Sequence, residues 1–182
     1  MLHDRDLLDR LGAFAPVRYD GLIFRATRLG LDPLTGSFSG GRWAPRDVTQ
    51  VLYTSLERDG ALAEIAHHLS LLTPKPSKPV KVHELAVGAG SVVRLLRPDF
   101  TALHVDPADY LSSNYARTQE IGAAVAFLEC DGLIAPSARW PCENLMLFLE
   151  HHTPHGKLEL IRSEEVDWLE WDKRNGPARS MP

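Results

Sequence analysis

At 182 residues, with 44% hydrophobic and 24% charged side chains, the chain is long enough to bury one sizeable core and too ordinary in composition for a collagenous, disordered or disulfide-stapled protein. The formal net charge is −4, from 20 basic against 24 acidic residues. The basic residues are scattered, which excludes the dense positive footprint of a dedicated nucleic-acid binder.

Chain order predicts a short opening helix over residues 4–14, with Asp4 as its cap and Leu7, Leu8 and Leu11 at helical spacing. A β-prone run, Leu22 to Arg28, then meets Gly30, Asp32-Pro33 and Gly36, which turn it into a polar loop ending in Gly40-Gly41-Arg42-Trp43. Gln50 to Ser55 reads as the next strand. Behind Asp59, the expected cap, Leu62, Ile65, Leu69 and Leu72 mark one face of a long helix.

The run Pro74-Lys75-Pro76-Ser77-Lys78-Pro79 cannot be helical and serves as an intradomain connector. Two strands, Val80 to Val87 and Ser91 to Leu96, are expected around a hairpin turn at Gly88-Ala89-Gly90. A second long helix, about Asn114 to Glu129, carries Ile121, Val125 and Leu128. Strands are then predicted at Asp131 to Ala135, Asn144 to Glu150, Lys157 to Arg162 and Val166 to Trp171, with a frayed tail over Asn175 to Pro182. No internal repeat interrupts this order. The expected class is α+β, a mixed β-sheet core with flanking helices, in a single domain over residues 1–182.

Short motifs are informative mainly by failing. Gly36 to Trp43 approaches the phosphate loop G-x-x-x-x-G-K-[ST], but Arg42 stands for the lysine and Trp43 for the hydroxyl residue that binds magnesium, which disfavours a nucleotide triphosphatase. Gly88-Ala89-Gly90 lacks the third glycine and the following helix of a dinucleotide fingerprint. His67-His68 and His151-His152-Thr153-Pro154-His155 lack H-E-x-x-H spacing and have no cysteine pair, so no metal is expected. Cys130 and Cys142 form neither a disulfide framework nor a nucleophile's context. The first residues hold no apolar h-region and no stretch nears the ~18 apolar residues of a membrane span; a soluble cytoplasmic protein is expected.

Singly, the remaining polar residues read blandly. Glu64 falls off the apolar stripe of its helix and reads as solvated, Arg25 as an exposed strand residue, Tyr53 as a core tyrosine and Ser137 as a loop serine. Their order reads otherwise. Phe24-Arg25, Gly40-Gly41-Arg42-Trp43, Val51 to Ser55, Ala61-Leu62-Ala63-Glu64, Ile121-Gly122, Asp131 to Arg139 and Asn144-Leu145 to Phe148 together resemble the RES domain, over about residues 20–162. Ala44 departs from the asparagine that many members carry after G-G-R-W.

This resemblance implies a fold similar to ADP-ribosyltransferase toxins and a toxin-antitoxin role, with NAD+ as substrate and no metal. Members of the family break the bond between nicotinamide and ribose by hydrolysis or phosphorolysis, or transfer ADP-ribose to a protein; a catalytically silent RES-fold binding module is the reading from another class. The family's arginine, tyrosine, glutamate and serine match Arg25, Tyr53, Glu64 and Ser137, with Arg42 as a second basic contact. Glu64 would offset the oxocarbenium charge, Arg25 and Arg42 would hold the pyrophosphate, Tyr53 would stack on nicotinamide, and Ser137 would bond cofactor or glutamate. The implied partner is an Xre-type helix-turn-helix antitoxin, in a hetero-oligomer, with no direct nucleic-acid or membrane contact.

Overall fold

The structure, a computed structural model, describes residues 3–152 and 156–176. It opens with helix α1 (Arg5–Gly12), capped as expected by the Asp4 carboxylate, which accepts from the Asp6 amide. Strands β1 (Val17–Arg28) and β2 (Val51–Ser55) follow, then helix α2 (Arg58–Ser70). A long strand, β3 (Val80–Arg94), leads through short helices α3 (Asp99–Ala102) and α4 (Pro107–Leu111) into α5 (Ala116–Phe127). The chain then forms β4 (Gly132–Pro136), β5 (Glu143–Phe148), short helix α6 (Leu149–His152), β6 (Lys157–Val166) and α7 (Trp168–Asn175).

The six strands are ordered β1-β2-β5-β4-β3-β6, and β1 also pairs with β3, so five of them close a ring with β6 attached outside. Among the described residues only β3 and β4 run parallel, joined through α3 to α5; the other pairings are antiparallel. This is the mixed sheet with flanking helices that the sequence predicts. In β5, Leu145 and Leu147 enter the cluster enclosed by the ring, with Ile23, Leu52, Leu85 and Ile134. Met146 and Phe148 face the opposite cluster beneath α1, α4 and α5, with Leu11, Tyr110, Ile121 and Val125. Because both faces are covered there, Leu145 to Phe148 of β5 is an unbroken apolar run rather than an alternating one. A third cluster packs Leu62, Ala66 and Leu69 of α2 and Trp168 of α7 against Val80 and Val82.

Four local expectations are corrected. Gly88-Ala89-Gly90 is not a hairpin turn: β3 continues through it, paired with β1 up to Ala89 and again at Val92 across an irregularity at Gly90-Ser91, while its other edge passes from β6, up to Gly88, to β4, from Val92. At that change of partner the Asp131 carboxylate accepts from the amides of Gly90, at 2.6 Å, and Ser91, at 2.9 Å, so these donors are satisfied without a ladder bond. The second correction is at Val166 to Trp171, where Asp167 accepts from the Glu170 amide and starts α7, burying Trp168. Third, Glu57 takes the N-terminal cap position of α2 without a side-chain capping bond, and Asp59 lies inside the first turn. Fourth, Leu72 lies beyond the end of α2, and both it and Leu128, past the end of α5, are exposed. His155 of the histidine cluster and most of the predicted tail lie outside the described residues.

Candidate active site

A cavity of about 280 Å³ opens on the face that the β2-β5-β4 part of the sheet shares with α1, α4 and α5. Strand register builds its floor: Tyr53 lies opposite Met146 and Ser55 opposite Asn144, and alternation sends all four side chains to the same side. Helix α2 begins three residues after β2 ends, which carries Glu64 back over that floor. Phe24 and Arg25 come from β1, the Gly40 to Trp43 loop supplies a wall, and Tyr110, Tyr115 and Arg139 close the far side.

Glu64 is held by two donors on one oxygen. Its Oε1 accepts from Ser137 Oγ at 2.8 Å and from Asn144 Nδ2 at 2.9 Å. Ser137 is buried, does not line the cavity, and also accepts from the backbone amides of Arg139, at 3.1 Å, and Trp140, at 3.2 Å. The serine therefore lies behind the glutamate, and the loop after β4 folds around its hydroxyl. With both bonds spent on Oε1, Oε2 is left for whatever enters the cleft.

Carbonyls and rings, not carboxylates, hold the two arginines. Arg25 Nη1 donates to the carbonyls of Pro33, at 2.9 Å, and Thr35, at 2.8 Å. The guanidinium of Arg42 lies 4.9 Å from the ring centre of Tyr110 and 4.5 Å from that of Tyr115, and Nη2 reaches the Ser112 carbonyl at 3.4 Å. Its Nη1 is buried with no partner among the described residues. Burial lowers the pKa of both arginines, with Asp32 opposing it at Arg25. Arginine nonetheless stays charged, so two cations with no carboxylate in ion-pair contact among the described residues face the cleft, an arrangement suited to a polyanion.

Two glycines place this wall. Gly40 has φ of 78°, in the left-handed region, which a side chain would strain. Gly122 of α5 lies against the Trp43 carbonyl so closely that any Cβ would overlap it. The Ile121-Gly122 pair thus seats the Gly-Gly-Arg-Trp loop on α5. The Tyr53 hydroxyl accepts from the Trp43 amide at 3.3 Å, and burial keeps its pKa well above the ordinary tyrosine value, so it stays neutral.

The five residues singled out in the sequence meet here, Arg25, Arg42, Tyr53 and Glu64 lining the cavity and Ser137 behind it. Sequence reasoning assigned no role to Asn144, Tyr110, Tyr115, Arg139, His67 or His68. Of these only the histidines carried a usable cue, since His67 and His68 follow Glu64 by three and four residues and so share its helix face. Among the described residues no group of three His, Cys, Asp or Glu side chains could hold a metal ion. Burial pushes the thiols of Cys130 and Cys142 up, away from thiolate chemistry. No helix among the described residues is long and apolar enough to cross a membrane.

Comparison with known proteins places this cleft in context. The profile of the RES domain matches residues 22–169. Proteins named NAD(+) phosphorylase MbcT, from Mycobacterium tuberculosis and Mycobacterium bovis, are 22% identical over 171 residues, covering 90% of this chain and 91% of theirs. The crystal structure of the M. tuberculosis MbcT-MbcA toxin-antitoxin complex contains a chain that superposes with a TM-score of 0.82 at 21% identity, over 93% of this chain and 97% of that one. That likeness establishes the fold.

Proposed function

The chain belongs to the RES domain family, and on that premise we propose that it is the toxin of a toxin-antitoxin pair, an enzyme that destroys NAD+ by cleaving its nicotinamide-ribose bond. The observation that carries this reading is the Glu64 carboxylate, fixed through Oε1 by Ser137 and Asn144 in a cleft where, among the described residues, Arg25 and Arg42 have no carboxylate in ion-pair contact. A fixed carboxylate suits a reaction in which positive charge develops on a ribose, and it acts best when oriented beforehand.

Arg25 and Arg42 bind the pyrophosphate, and Nη1 of Arg42, without a partner among the described residues, gains its acceptor when substrate arrives. Their two charges replace the magnesium that a pyrophosphate otherwise recruits. Tyr53, neutral and held against the Trp43 amide, offers its ring to the cationic nicotinamide. As the glycosidic bond stretches, Glu64 Oε2 faces the growing oxocarbenium charge, and nicotinamide departs as a neutral molecule. Ser137 acts through Glu64 and not on the substrate.

The acceptor is inorganic phosphate, a choice supported by the names of the mycobacterial relatives. The partner is an antitoxin of the Xre type, which silences the toxin in the cytoplasm by closing the cleft. Expression of the chain alone in bacteria is expected to empty the cellular NAD+ pool within minutes. Co-expression with the antitoxin, or substitution Glu64→Gln, preserves the pool; an unchanged pool with folded wild-type protein contradicts the reading.

A further inference from the structure

The cleft contains one more cation than the dinucleotide requires. Arg25 and Arg42 match the two negative charges of the pyrophosphate, and Glu64 matches the positive nicotinamide. Arg139 remains. Its side chain lines the same cavity, and its one hydrogen bond among the described residues runs from Nη1 to the Leu111 carbonyl, at 3.3 Å, leaving most of its five N–H donors uncommitted. The backbone of Arg139 is pinned to Ser137 Oγ at 3.1 Å, the same hydroxyl that holds Glu64, so the guanidinium springs from the turn that positions the carboxylate.

Beside it stand His67 and His68, one helical turn beyond Glu64 and also lining the cavity. His67 is half-buried and His68 exposed, with their rings 5.6 Å apart. His67, Ala138 and Arg139 additionally form the boundary with a second, larger groove of about 830 Å³ between the end of α2 and α7. Lys75 and Lys173 line that groove with Arg139, against one carboxylate there among the described residues, Asp172, while Glu170 sits 3.9 Å from Lys173. The groove thus brings a cationic surface up to the border of the cavity that holds Glu64, away from the arginines assigned to the pyrophosphate.

We propose that Arg139, with His67 and His68, forms a binding subsite for the acceptor, inorganic phosphate, which arrives through the groove between α2 and α7. This inference rests on the NAD+-cleaving reading above and adds to it the residues that select phosphate over water. In the step they serve, a phosphate oxygen forms a bond to the anomeric carbon of the ribose as the bond from that carbon to the nicotinamide nitrogen breaks. The electron pair leaves with nicotinamide, which becomes neutral, and the proton of hydrogenphosphate passes to solvent. The product is ADP-ribose phosphorylated on its anomeric carbon. A guanidinium fork, carried on backbone that Ser137 pins and held at Nη1 by the Leu111 carbonyl, is suited to orient the tetrahedral dianion, and the imidazoles add one donor each.

Initial rates of nicotinamide release, measured against inorganic phosphate and against NAD+ separately, test the assignment. Arg139→Gln is expected to raise the KM for phosphate about tenfold or more, the effect of losing one charge-assisted contact, while the KM for NAD+ moves less than about twofold. His67→Asn is expected to shift the same parameter by a smaller factor, and being at a half-exposed position it guards against a folding artefact at Arg139. An unchanged KM for phosphate in both variants overturns the subsite and leaves the NAD+-cleaving reading intact. A raised KM for NAD+ with that for phosphate unchanged overturns it too, by giving Arg139 and the groove to the dinucleotide. Wild-type protein that releases no nicotinamide at any phosphate concentration overturns both.

Discussion

The hydroxyl of Ser137 donates to Oε1 of Glu64 across 2.8 Å while accepting from two amides of its own loop, at Arg139 and Trp140. Removing it in Ser137→Ala leaves the carboxylate with Asn144 alone and strips three hydrogen bonds from a buried site. At roughly 1 kcal/mol net for each such bond, the cost to stability is about 2 to 3 kcal/mol. A positioning role further predicts that kcat falls about tenfold with little change in the KM for NAD+. A fall in stability with kcat intact would assign Ser137 to the fold alone.

Glu64→Gln keeps an oxygen for Ser137 and Asn144 to bond and removes only the charge. Turnover is expected to fall by about 100-fold to 1,000-fold, the usual scale for losing one fixed electrostatic contact to a transition state, with NAD+ affinity changed severalfold at most. Calorimetry with NAD+ beside nicotinamide release checks the two halves separately.

Arg42→Lys retains charge and loses both the planar stacking between Tyr110 and Tyr115 and the forked donors. The KM for NAD+ is expected to rise about tenfold or more. Full activity in the lysine variant would show that a point charge suffices.

Gly122→Ala drives a methyl group into the Trp43 carbonyl. Overpacking against backbone that cannot step aside is expected to cost about 3 kcal/mol, read as a lowered urea midpoint. The same shift displaces Arg42, so the KM for NAD+ rises at temperatures where the variant is still folded.

Acid weakens the fold through His83. Its ring is buried, hydrogen-bonded to Thr27 at 2.9 Å and Ser163 at 2.7 Å, and burial first, then Arg25 and Lys81, lowers its pKa from 6.5, with Asp32 opposing. The unfolded chain therefore binds more protons than the folded one near and below pH 6.5, and stability rises with pH through that window. The urea midpoint is expected to drop between pH 7.5 and pH 5. In His83→Gln, which removes the ionisable ring, the slope should be shallower.

Most elements were legible because each obeyed its own period. Asp4 and the leucines behind it, the apolar run of β5 and the Ile121 face of α5 fold as their spacing predicts. The failures were at places where long-range partners overrule local chemistry. Gly88 to Gly90 has a turn's composition, but Asp131, distant in sequence, satisfies the exposed amides and keeps the strand continuous. Trp168 has a strand former's shape and is buried by α2 instead. In the site, Glu64 stands out through the resemblance of the ordered motifs to the RES domain and not through periodicity, which makes it a solvated surface group. Asn144 escaped because its contact depends on the register that sets it opposite Ser55, and Tyr110 and Tyr115 because the segment after β3 gave no cue that it returns over Arg42.

The most direct test incubates the purified protein, freed of antitoxin, with NAD+ in the presence and absence of inorganic phosphate and identifies the products by mass. The account predicts nicotinamide together with ADP-ribose carrying a phosphate on its anomeric carbon, formed only when phosphate is present and lost in Glu64→Gln. Intact NAD+ in the presence of phosphate, or ADP-ribose attached to protein as the main product, would contradict it.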